Sequence, residues 1–157
     1  SFTIMGPQEQ YSDANNGSIV IMLEYGANRF FFAADAEMES IEDMMETARF
    51  IAAHDIQALK IHMLHIMEGT IMGEQFKKQP FPLLSREDYI STVVKQLEIL
   101  PPNLIIQRLT GDAPKDLLIE PTWTLNKTTI LNDIDKLMVK QDTWQGKYYI
   151  NKDPQND

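Results

Sequence analysis

The feature that most constrains this chain is an alternation, from Ser40 to Lys140, of amphipathic stretches with short apolar runs. In Ser40–Ala53 the residues Ile41, Met44, Met45, Ala48, Ile51 and Ala52 recur at the spacing of one helix face. Ser40 is the expected N-cap, with Asp43 three residues on, and Glu39, Glu42 and Asp43 lie where the helix dipole favours acids. Ile56–Leu64 then reads as a buried strand. Ser85–Ile99 repeats the helical pattern, with Ser85 as cap and Tyr89, Ile90, Val93, Val94 and Leu97 as its stripe. Pro101-Pro102 ends it, and Asn103–Leu109 is the next buried strand. Lys127–Lys140 is a third helix, with Ile130, Leu131, Ile134, Leu137 and Met138 on one face. A helix between two strands of one sheet requires a crossover, so these units predict parallel strand pairs.

The chain before Ser40 follows a different pattern. Phe2–Met5 is a short apolar stretch closed by Gly6-Pro7, and residues 8–17 read as a polar surface loop. Ser18–Glu24 and Arg29–Ala34 read as an antiparallel hairpin connected by Tyr25-Gly26-Ala27-Asn28. Phe30, Phe31 and Phe32 in succession suggest a strand buried on both faces. Arg29–Leu64 is accordingly expected to be one strand–helix–strand unit. Thr70–Lys78 reads as a short helix, and Asp116–Glu120 fits either helix or strand. The expected fold is α/β. It has a single mixed sheet of about five strands, an N-terminal antiparallel hairpin plus parallel β–α–β units, packed with three main helices as a half-barrel or an open sandwich. One domain is expected over residues 1–157: a hairpin segment 1–39, a β/α segment 40–150 and a polar tail 151–157.

Composition narrows the function. At 157 residues and 43% hydrophobic, the chain can bury a substantial core. It has no cysteine, which removes disulfides, thiolate metal sites and cysteine nucleophiles together. A net charge of −9 argues against nucleic acid as a partner. No apolar run is long enough to span a membrane, and no secretory leader is seen. A cytoplasmic setting is therefore expected. There is no G-x-G-x-x-G, phosphate loop or H-E-x-x-H.

The candidate site residues lie at expected strand ends, where α/β sheets place ligands. Asp35 and Glu37 follow the second hairpin strand, and a carboxylate there can hold a metal or polarise water. His62 and His65 are three apart on an expected strand, which places them on opposite faces. His65 could instead join Asp35 or Glu68 across strand ends, giving Asp35 and His65 as candidate metal ligands. Arg108 and Asp112 flank the Thr110-Gly111 turn, and Asp112 can accept hydrogen bonds from a ligand or close its own turn. Met44, Met45 and Met138 read as core filler. Trp123, Trp144, Tyr148 and Tyr149 are expected to fasten the C-terminal segment.

Two resemblances bear on these residues. From about Ser40 to Tyr149 the chain resembles the C-terminal half of a bacterial subfamily of radical S-adenosylmethionine (radical SAM) proteins. The carrying stretches are KIHMLH, LPP, RLTGDAP and WQGK, and the likeness covers roughly 70% of the chain. It implies an incomplete TIM-type barrel. It also implies a 4Fe–4S cluster on a C-x-x-x-C-x-x-C loop that belongs to the other half and is not in this sequence. Phe2–Glu39, with FTIMGP and YSDANNGSIVIMLEYGANRFFFAADAE, resembles metallo-β-lactamase-fold domains of bacterial DNA-uptake channels. That family has Thr-Gly-Asp-Ala-Glu where Ala33-Ala34-Asp35-Ala36-Glu37 stands, so Asp35 answers to its metal-bridging Asp and His65 to a later ligand. Its H-x-H-x-D-H motif is absent.

The two resemblances meet near Met38–Ser40, inside one expected β–α–β unit. Together they imply a chimera of two folds, engineered in the laboratory, and Ser1 in place of an initiator Met fits a cleaved expression product. The expectation is a protein without enzymatic activity and without a cofactor, able to self-associate through an open edge strand. The alternatives are a vestigial S-adenosylmethionine site using Arg108 and Asp112, a divalent-metal site using Asp35 and His65, or a natural accessory domain lacking its catalytic half.

Overall fold

The computed structural model describes residues 2–6, 20–25, 28–33 and 41–150. The expectations placed on Asp35, Glu37, Ser40, the loop of residues 8–17, the burial of Phe30–Phe32 and the polar tail lie outside the described residues. The elements in chain order are β1 (Phe2–Gly6), β2 (Val20–Tyr25), β3 (Asn28–Ala33), α1 (Ile41–Ala52), β4 (Ala58–Lys60) and β5 (Ile66–Met67). Then come α2 (Ile71–Lys78), α3 (Arg86–Ile99), β6 (Ile105–Arg108), β7 (Leu118–Glu120) and α4 (Lys127–Lys140).

The helices form where periodicity and caps call for them. Ser85 caps α3 by accepting a hydrogen bond from the Asp88 amide at 3.0 Å, and its hydroxyl donates to Asp88 at 2.7 Å. Thr70 caps α2 in the same way through the Gly73 amide. On α1 the buried residues are Met44, Ala48 and Ile51, one turn apart along one stripe. Helix α3 buries Tyr89, Ile90, Thr92, Val93, Val94, Gln96 and Leu97, more than one stripe, because it packs against both α1 and α4. Gln96 Nε2 donates to the Met44 carbonyl at 2.8 Å, tying α3 to α1. An Arg86–Asp133 ion pair ties α3 to α4, which buries Ile130 and Ile134. Among the described residues no helix is long and apolar enough to cross a membrane.

The strands correct the expectation of a single mixed sheet. Those described form three sheets: β1-β2-β3, β4-β6 and β5-β7. The hairpin is present, with Tyr25 opposite Asn28, and β1 adds a third antiparallel strand. Residues Arg29–Leu64 do not close into a parallel pair, because β3 pairs with β2 and β4 pairs with β6. The second expected unit does close. Strands β4 and β6 run parallel, with Ala58 opposite Ile105 and Leu59 opposite Ile106, and α3 lies between them in sequence.

Residues 56–67 show why β4 and β5 lie in different sheets. Only Ala58–Lys60 stay in the ladder; the Ile61 amide still reaches the Arg108 carbonyl at 2.9 Å, and then the backbone leaves. It re-enters pairing at Ile66, opposite Glu120 of β7, so the undecided stretch Asp116–Glu120 ends in a strand. The segment between, His62–His65, is free of ladder constraints and sits where β6 ends.

Candidate functional site

Strands β4 and β6 run parallel and end side by side, so the residues that follow them share one place. After β6 come Leu109, Thr110, Gly111 and Asp112; after β4 come His62, Met63, Leu64 and His65. A Cβ built on Gly111 would lie 2.7 Å from His65 Cε1, 3.2 Å from His62 Nδ1 and 3.4 Å from His65 Nδ1. Both imidazoles therefore pack over Gly111. This corrects the expectation that they face opposite ways: side chains alternate only while the strand persists, and this strand has stopped at Lys60. Gly111 is needed here for space, since two rings occupy the volume a side chain would fill.

Methionine completes the cluster. The Gly111 amide donates to Met63 Sδ at 3.3 Å, and the buried Thr110 hydroxyl points to the same sulfur at 3.8 Å. A thioether is a weak acceptor, so this contact positions the loop without holding it rigidly. Below the loop, the Tyr89 hydroxyl donates to the Leu109 carbonyl at 3.1 Å, connecting the strand end to the buried side of the first turn of α3. Burial raises the Tyr89 pKa, so this hydroxyl keeps its proton.

On the solvent side, Asp112 receives Lys127 Nζ on both carboxylate oxygens at 3.0 Å, and Arg108 lies at 3.4 Å. The Lys127 hydrogen bond is the main cause that holds the Asp112 carboxyl below the usual range. The charges of Lys127, Arg108 and His62 add to it, against desolvation. Lys127 is the first residue of α4, which brings a third element to the site. Beside this trio runs a half-open groove of about 410 Å³, lined by Ile106 to Thr110, Lys127 and Leu131.

Of the expected site residues, Arg108 and Asp112 are thus brought together. Asp35 lies outside the described residues. His65 meets His62, while Glu68 pairs with Lys77 instead. Among the described residues no group of three or more His, Asp or Glu could hold a metal ion. Met63 and Lys127 are not among the expected site residues, and His62 and Gly111 enter the expectation only as a histidine on the opposite strand face and a turn residue. The repeated His of KIHMLH was the available signal, obscured by the strand-parity argument.

The other two motif stretches meet elsewhere. Gly146 of WQGK, at φ +83°, lies against Pro102 of LPP, where a Cβ would stand 2.9 Å from Pro102 Cβ. Gln145 Nε2 donates to the carbonyls of Pro101 and Leu104 at 2.7 and 2.8 Å. The amides of Gly146 and Tyr148 reach Leu97 and Glu98 carbonyls. These polar contacts fasten the segment, whereas Trp144 and Tyr148 are 55% and 58% exposed, which corrects their expected part in the fastening. Trp123 is a core partner: it packs on Tyr89, and its Nε1 donates to the Leu84 carbonyl.

Residues 56–140 match the Radical_SAM C-terminal domain family. The chain belongs to that family. An uncharacterized protein of Bacillus subtilis, YtqA, is 43% identical over 112 residues, covering 71% of this chain and 35% of the relative. Another, MJ0486 of Methanocaldococcus jannaschii, is 37% identical over 113 residues, again 71% and 35%. The Escherichia coli protein YhcC is 25% identical over 100 residues, covering 64% of this chain and 32% of its own. The chain thus spans about a third of the length of these relatives. The match to the Radical_SAM C-terminal domain lies wholly beyond the junction expected near Met38–Ser40. A fusion of two families, and the metallo-β-lactamase likeness of the first 39 residues, therefore rest on residue pattern alone. The 4Fe–4S cluster that the radical SAM resemblance implies does not fit the residues present. It needs thiolates, and the donors gathered at Gly111 are imidazoles and a carboxylate already held by two cations.

Proposed function

We propose that this chain is a natural C-terminal accessory domain of a radical SAM-type protein. By itself it performs no catalysis and binds no S-adenosylmethionine, and it presents the Gly111 cluster, with Arg108 and Lys127, to a different ligand at the ends of β4 and β6. The observation that carries this reading is the meeting of KIHMLH and RLTGDAP at one point beyond two parallel strand ends. Ligands of open α/β sheets bind there. A core alone would not call for two imidazoles and three charged groups at such a place. The absence of cysteine supports the non-catalytic part of the reading. The family match over more than half the chain and relatives in three organisms support the accessory-domain reading.

An amide NMR spectrum of this chain with and without excess S-adenosylmethionine tests the reading. Dispersed peaks that stay in place are expected. Saturable shifts concentrated at His65, Arg108 and Asp112 would contradict it and establish a cofactor site in this chain alone.

A further inference from the structure

Resting on the site reading above, we propose that the groove beside β6 takes a small ligand bearing a phosphate, which displaces Asp112 from Lys127 and Arg108. Three observations lead there.

The first is charge. Around Asp112 stand two permanent cations, Lys127 at 3.0 Å and Arg108 at 3.4 Å, in a chain whose net charge is −9. One carboxylate leaves that pair of cations with a positive surplus. Local positive potential on an acidic protein draws anions to that spot.

The second is exposure. The Asp112 side chain is 58% exposed, against 38% for Arg108 and 41% for Lys127. The carboxylate is the outermost member of the trio and turns away into water without unpacking anything. Exposed ion pairs of this kind hold weakly, so exchange for a better anion costs little. Arg108 offers a planar fork that a phosphate or carboxylate fills through two hydrogen bonds.

The third is the shape beside the trio. Lys127 and Arg108 line the same half-open groove as Ile106, Leu109 and Leu131. An anionic head on the two cations leaves the remainder of a small ligand against aliphatic side chains. In this arrangement Asp112 is a competitor that keeps the cations in place while the groove is empty. It is not the group that binds the ligand.

That role gives the test its sign. The probes are inorganic phosphate and n-butyl phosphate, titrated into the full chain and read by amide shifts at residues 106–110 and 127–131. Saturable shifts are expected with both, and tighter binding of the butyl ester. Asp112→Asn removes the competitor while keeping its shape, and is expected to tighten binding about three- to fivefold. Lys127→Ala is expected to weaken it about tenfold. Both substitutions lie at exposed side chains, and unchanged spectral dispersion checks that each variant folds. No saturable shift with either phosphate overturns the proposal, as does an Asp112→Asn variant that binds equally or more weakly. Neither of these outcomes touches the reading of the chain as an accessory domain, which fails only on the S-adenosylmethionine arm.

Discussion

Gly111 and Gly146 each bring two distant stretches of this chain into contact, and each lacks a side chain for a different reason. At Gly146 the backbone itself requires glycine: φ is +83°, and Pro102 presses on the missing Cβ. Everything around it is fastening, from Gln145 on two carbonyls to the paired amides of Gly146 and Tyr148. At Gly111 no left-handed backbone is involved, and the space is taken by two imidazoles with Arg108, Asp112 and Lys127 alongside. A distinctive glycine motif is therefore no guide to function until its neighbours are known. A proline ring and carbonyls mark a clamp; titratable side chains beside a groove mark a site.

Substitutions separate the two. The largest expected effect is on the clamp. Gly146→Ala combines a left-handed residue with overlap on Pro102, and is expected to cost about 2–4 kcal/mol of unfolding free energy in a urea titration. It should leave phosphate binding at the groove unchanged. Gly111→Ala is expected to cost less, about 1–2 kcal/mol, because the imidazole rings can give where a proline cannot. A larger loss at Gly111 than at Gly146 would break the comparison.

Tyr89→Phe comes next. It removes the hydroxyl that reaches the Leu109 carbonyl and is expected to cost about 1 kcal/mol. If the strand end depends on that anchor, the amides of Leu109 to Asp112 shift while those of Gln145 to Tyr148 do not.

Asp112→Asn has the smallest effect on stability. The folded-state carboxyl is held below its usual range, so its contribution is present above the ordinary carboxylate pKa. That contribution is lost as pH falls through the lowered value. The urea midpoints of the variant and the unmodified chain should differ slightly at neutral pH and converge in acid. A difference that grows on acidification would reverse the assigned sign.

Much of this was legible in the sequence because it is local. The stripes of α1, α3 and α4 and the Ser85 cap follow from spacing and side-chain chemistry. The parallel pairing of β4 with β6 follows from the long helical connection between them in sequence. Strand partnership was less legible, since apolar alternation does not say which strand lies alongside; hence the described strands form three sheets where one was expected. At the site, Arg108 and Asp112 were visible as polar groups at a strand end. His62 and His65 were misplaced because their spacing was read as if the strand ran on past Lys60. Lys127 is legible only as a helix residue, because nothing local shows that a helix start returns to the turn that follows β6, at Asp112 fifteen residues earlier.

The central claim is that His62 and His65 share the space over Gly111, and histidine NMR tests it most directly. The Cε1–H signals of both rings are recorded in the unmodified chain, in Gly111→Ala and in Gly146→Ala. The account predicts that Gly111→Ala moves both histidine signals while His54 stays in place, and that Gly146→Ala moves none of the three. Histidine signals unmoved by a methyl group at Gly111 would contradict it.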